Sequence, residues 1–244
     1  MELSTRWSVV QAACHGTEEQ KRAAMEFLCL RYRAPLLAFA LRKGKLGDAE
    51  DLVHDFMVSF FLEKEVLKHA HPTKGHLRGL LRKAFERFMS AEREKANTRK
   101  RGGGLTIVSL DDAGGVDADA VLVLAARADS PEEAMDRQLA EEFLSEAMRR
   151  VRKHYAAKGK GPLAEGLAVL VLGAHAAADY EQAAVRLAMS PEAVKTAVSR
   201  MRSRFWSMFR EIVEEEFPPE QVRADPETVT AEVRYLVGLL ETRK

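Results

Sequence analysis

Apolar residues recur at three- and four-residue intervals over most of this chain, which is the period of an amphipathic α-helix. Three or four such helices fit between about Ser4 and Arg99, with Thr17-Glu18-Glu19-Gln20 as a capping-box start and Gly44 and Gly47 marking the next turn. Their apolar faces are Leu28, Leu36, Leu37, Phe39 and Ala40, then Leu52, Val53, Phe56, Val58, Phe60 and Phe61, then Leu77, Leu80, Leu81, Phe85 and Phe88. Together these can close one core. From Gly102-Gly103-Gly104 to Asp129 the pattern dissolves into Gly, Asp and short aliphatic patches; LTIVSL could pair as a strand, but the segment reads best as a flexible linker. Helix resumes at Ser130-Pro131-Glu132-Glu133, where N-cap, proline and Glu coincide, and continues to about Lys158. A second bundle then takes in a short helix at about 162–175 and a helical pair running to about Glu216. Past Pro218-Pro219 one further helix, Pro226 to Leu240, has Val229, Val233, Leu236, Val237 and Leu240 as its stripe. The pattern predicts an all-α chain of two small bundles, residues 1–100 and 131–216, with a linker at 101–130 and an acidic helical extension at 217–244.

Composition sharpens this picture through its blocks. The net charge of +1 offers no globally basic coat, yet residues 74–101 hold ten Lys and Arg against three Glu. Residues 48–65 hold six acids against Lys64, and residues 211–244 hold nine acids against four bases, so basic and acidic surfaces are segregated along the chain. Cys14 and Cys29 fall on separate expected helices and are read as small core thiols in a reducing cytosol, not a disulfide. With no apolar leader and no run of the roughly 18 apolar residues a membrane span needs, the chain is expected to be soluble and cytoplasmic.

The most informative stretch is 179–205, DYEQAAVRLAMSPEAVKTAVSRMRSRF. Ala183, Ala184 and Leu187 give the first helix a small-residue face, and Ser190 with Pro191 sets the start of the second as N-cap and first-turn proline. Val194, Val198, Met201, Phe205, Met208 and Ile212 form the second helix's stripe, with polar residues opposite. This is the pattern of a DNA-reading helix-turn-helix, in which the start of the second helix meets base edges. Glu192, Lys195, Thr196 and Ser199 are then candidates for base readout and Arg200, Arg202 and Arg204 for phosphates, with the N-cap Ser190 counted in the same DNA-facing set. A helical hairpin with a solvated charged face is the bland alternative.

The first half adds a second motif. DAEDLVHDFMVSFF at 48–61 resembles the region-two signature of bacterial extracytoplasmic-function RNA polymerase sigma factors, and 179–205 resembles their region four. The intervening VSLDD at 108–112 and SPEE at 130–133 are similar to their linker, so the resemblance spans roughly residues 5–215. It implies a protein that binds core RNA polymerase and directs it to promoter DNA, with no catalytic residues, cofactor or metal of its own. By this resemblance Asp48, Glu50, Asp51, Leu52, Asp55 and Phe56 dock on the polymerase clamp. On the residues alone, those carboxylates equally suit a helix N-terminus. The resemblance also places the 64–76 loop and the next helix on the minus-ten element, through His69, His71, Thr73, Lys74, His76, Arg78, Arg82, Lys83 and Arg87. Phe85 and Phe88 are either core or stacking platforms. Departures from the family pattern are Ala197 after Lys195-Thr196, where an Arg is common, and Ala188 at the usual turn glycine, which is tolerable if Ala188 stays out of the left-handed region.

A helix-turn-helix regulator that does not bind core polymerase is the alternative function; it leaves the acidic-then-basic order of 48–101 unexplained. An enzyme is disfavoured because no phosphate loop, metal-ligand pair or nucleophile–base arrangement is present. Promoter sequence, and control by an anti-sigma factor or another regulator, stay open. The acidic tail is expected either to cap the second bundle or to restrain a basic face of the protein.

Overall fold

The computed structural model describes residues 6–44, 48–63, 77–99, 117–126 and 128–241. These residues are all-helical, with no strand among them. The helices are α1 (Arg6–His15), α2 (Glu18–Arg42), α3 (Ala49–Glu63), α4 (Leu77–Arg99), α5 (Ala118–Ala126), α6 (Pro131–Ala156), α7 (Gly161–Leu167), α8 (Ala177–Leu187), α9 (Pro191–Glu214), α10 (Pro219–Ala224) and α11 (Glu227–Glu241). A 3-10 turn, Ala168–Leu170, comes after α7. The chain divides into two compact units, one of residues 1–140 with 215–244 and one of residues 141–214.

In the first unit α2 is the central helix, and α1, α3 and α5 pack on it. It starts where the capping box was expected: Thr17 Oγ1 accepts from the Gln20 amide at 3.3 Å, and Gln20 Oε1 accepts from the Thr17 amide at 2.9 Å. Tyr32, Leu36 and Phe39 of α2 are fully buried, as are Val53 and Phe60 of α3 and Leu77, Leu81 and Phe85 of α4. Phe56 sits at the meeting point, its ring centroid 4.9 Å from Phe85, 5.3 Å from Phe60 and 5.6 Å from Phe88. Burying each such ring is worth about 1.5–3 kcal/mol, so the aromatic cluster is the main tie between α3 and α4.

Two features depart from the pattern-based reading. The stretch expected as linker contains α5, begun by Asp117 Oδ1 accepting from the Ala120 amide at 3.1 Å and held by burial of Val121 and Ala125. Arg42 at the end of α2 fastens the backbone just past α5, donating from Nε to the Ala128 carbonyl at 2.8 Å. The remainder of the expected linker, with LTIVSL, lies outside the described residues. The second departure is the tail. Residues 215–244 belong with the amino-terminal unit and not with the second bundle. Glu216 accepts from the Tyr32 hydroxyl at 2.8 Å, while Phe217, Val229 and Leu236 are buried.

The second unit consists of the rest of α6 with α7, α8 and α9. Phe143 of α6 and Phe209 of α9 meet edge to face at 6.4 Å, within a core that includes Val151, Leu167, Leu170, Val194, Val198 and Phe205. The approach of α7 to α8 is close at Gly166, where a side chain would make Leu187 shift. A Cβ on Gly166 would lie 2.6 Å from Leu187 Cδ2, and Arg186 Nη2 donates to the Gly166 carbonyl at 3.0 Å.

Candidate functional site

On α3 the acidic residues stay in water. Asp48, Glu50, Asp51 and Asp55 are exposed, and Asp48 precedes the first turn, its carbonyl accepting from the Leu52 amide at 2.9 Å. Among the described residues no ion pair engages any of the four. Carboxylates at a helix start gain from its dipole, and Glu50 and Asp51 stand in the first turn of α3. Leu52 is half-buried beside them, and Val58, two turns on, is 43% exposed, a partly apolar addition to the acidic face. Phe56 is placed differently from the expectation: at 3% exposure it belongs to the core and not to the acidic outer face of α3.

On α4 the cations divide into two classes. Lys83, Arg87, Arg93 and Lys95 are exposed, and Arg82 is half-buried. Arg78, expected to contact DNA, is instead enclosed, paired with Glu232 of α11 and with Asp136 of α6. Between α3 and α4 runs a groove of about 420 Å³, floored by Phe56, Phe60, Leu80 and Phe88 and rimmed by Lys83, Arg87 and the Lys95–Glu92 pair, which closes at 2.8 Å. An apolar floor with a cationic rim accepts a planar, anionic-backboned ligand by stacking and charge together. The two aromatic candidates now separate. Phe85 is fully buried core, and Phe88 is half-buried and borders the groove. His69, His71, Thr73, Lys74 and His76 lie outside the described residues.

In the second unit, α8 and α9 are joined by residues 188–190. Ala188 occupies the left-handed region at φ 52°, ψ 45°, so the condition under which alanine replaces the usual turn glycine without strain is not met. The strain is offset locally, since the Ala188 amide donates to the Val185 carbonyl at 3.3 Å and the Met189 amide to the Ala184 carbonyl at 3.0 Å, closing the end of α8. Ser190 Oγ accepts from the Ala193 amide at 3.2 Å, so its role is to start α9.

Helical geometry then sets the outer face of α9. With 100° per residue and Val194, Val198, Met201 and Phe205 buried, Glu192, Thr196, Ser199 and Ser203 point opposite the core. Lys195 flanks them on one side, and Arg200 and Arg204 on the other, all exposed. Thr196 donates its hydroxyl proton to the Glu192 carbonyl at 3.0 Å, which leaves its oxygen as an outward acceptor. Arg202 departs from the phosphate role expected of it. Its Nε donates to the Val171 carbonyl at 2.8 Å and its Nη2 to the Leu170 carbonyl at 2.9 Å, capping the turn after α7. His154 is held below its ordinary pKa by desolvation and then by Lys158 and Arg204.

Sequence reasoning missed the groove, Val58 and the enclosure of Arg78. Spacing pointed to the groove's residues one by one, whereas Arg78's partners stand 58 and 154 positions along the chain, where no local signal reaches. Among the described residues no group of three His, Cys, Asp or Glu is placed to hold a metal ion, and no helix is long and apolar enough to cross a membrane. No known protein family, curated protein or solved structure matches the chain.

Proposed function

We propose that this chain is a sigma factor of the extracytoplasmic-function type, which binds core RNA polymerase and directs it to promoter DNA. The observation that carries the reading is the exposed acidic start of α3, where none of Asp48, Glu50, Asp51 and Asp55 enters an ion pair among the described residues and a basic, partly apolar partner surface would engage them. Two further features support it. The groove rimmed by Lys83, Arg87 and the Lys95–Glu92 pair suits a melted promoter strand. In this reading α8, the 188–190 turn and α9 form a helix-turn-helix, with Glu192, Lys195, Thr196 and Ser199 toward base edges and Arg200 and Arg204 on the phosphates that flank them.

Run-off transcription with core polymerase and a library of promoters tests the reading directly. Specific transcripts are expected only when this protein is present. In a pull-down, Asp51→Arg with Asp55→Arg should weaken core binding while the far-ultraviolet circular dichroism is unchanged, because both side chains are exposed. DNA binding without any capture of core enzyme would replace this reading with a regulator that acts through α8 and α9 alone.

A further inference from the structure

Arg78 opens the most basic helix of the chain, yet its side chain is only 14% exposed. Its Nη1 donates to Glu232 Oε1 on the tail helix, and its Nε lies 3.4 Å from Asp136 Oδ1. The guanidinium also sits 6.0 Å from the ring centroid of Tyr235, whose hydroxyl donates to Asp136 Oδ2 at 2.9 Å. Glu216 and Arg82 add their charges to the same place, so three acids face two cations. One carboxylate would suffice to neutralise Arg78. Asp136 on α6 supplies one at ion-pair distance, and Glu232 on α11 supplies the one that is hydrogen-bonded. Burial raises the pKa of Asp136, and the attraction of Arg78 and the Tyr235 hydrogen bond offset this only in part. Glu232 brings a second negative charge into a desolvated site, which is costly unless the cation is shared well. The tail helix that carries Glu232 is held on this unit by the burial of Val229 and Leu236 and by the Tyr235–Asp136 bond, all at the same end as the Arg78 pair. A phosphate offers a guanidinium the same pair of oxygens as a carboxylate.

We propose that α11 is an intramolecular latch: Glu232 holds at Arg78 the place of a nucleic-acid phosphate, so that tail and nucleic acid compete for the start of α4. The inference rests on the reading of α4 as a nucleic-acid face. Lys83 and Arg87 are free to engage a strand first, and Arg78 joins them only when α11 releases it.

The test titrates the full-length protein with a labelled single-stranded DNA oligonucleotide of mixed sequence at low salt. Glu232→Gln keeps the shape of the side chain and leaves Asp136 on Arg78. It should bind several-fold tighter than the wild type, and the gain should vanish when Arg78→Gln is added. In the wild type, saturating DNA should speed hydrogen exchange of the amides of 227–241, a readout that needs no variant. Equal affinities for wild type and Glu232→Gln would overturn the latch and leave the DNA reading of α4 standing. So would a gain that persists alongside Arg78→Gln, or unchanged protection of 227–241. Absence of DNA binding by every variant would overturn both the latch and the reading of α4.

Discussion

Ala188 is a non-glycine residue held at positive φ, where an L side chain crowds the following carbonyl at a cost of about 1–2 kcal/mol. Glycine there relieves the clash but gives more freedom to the unfolded chain, so Ala188→Gly should raise stability by about 0.5–1 kcal/mol, read as a higher thermal midpoint. Cys29 illustrates the opposite case of a side chain matched to its setting. Desolvation pushes its thiol up to about 11 from an ordinary 9.0, against the attraction of Arg33, which leaves about one hundredth the usual thiolate at pH 8. A raised thiol pKa means that folding favours the protonated form: its stabilising contribution is full below pH 9.0 and declines as pH rises through about 11. Iodoacetamide should therefore label Cys29 far more slowly in the native protein than after denaturation at the same pH. The residue scale is also where sequence reading was least secure. Arg78 and Arg202 matched their exposed neighbours in charge and spacing, but one is enclosed by acids from distant helices and the other caps backbone carbonyls. Side-chain type shows what a group can bond, and only packing shows what it does bond.

At the scale of elements, helix starts were the most legible features, because caps are local chemistry: Thr17, Ser130 and Ser190 each accept the expected amide. The helix α5 was not legible. Its six central residues, AVLVLA, lie among Asp and Gly, and only the surface of α2 makes a nine-residue helix worth forming. On the proposed reading of α9 as the DNA-facing helix, its residues yield a contrast between neighbours. Lys195→Ala should cost about 1–3 kcal/mol at the preferred promoter and less elsewhere, as measured by titration against matched and scrambled sites. Arg200→Ala should weaken binding on every sequence and reduce the salt slope by about 1. Arg202→Ala should instead lower stability by about 1–3 kcal/mol, with the salt slope unchanged, since it removes the cap on Leu170 and Val171.

For the whole molecule, the joining of 215–244 to the amino-terminal unit matters most, and it was the feature least available to a reading of pattern. The stripe of α11 showed that the helix must cover something but not what, because a helix stripe carries no address. Leu236 is fully buried in this unit, so Leu236→Ala should destabilise it by about 2–5 kcal/mol, seen as faster hydrogen exchange in α2 and α4. The Tyr32–Glu216 bond spans 184 positions, and this separation has a consequence for synthesis. At about 5–20 residues per second, the ribosome delivers α11 roughly 7–30 s after α4. During that interval the seats of Val229 and Leu236 are open and Arg78 lacks its tail carboxylate, so the nascent chain exposes apolar surface and an unshielded cation together. Chaperone capture of ribosome-bound chains should accordingly be strongest for those halted between α4 and α11, and should fall once Glu241 has left the exit tunnel.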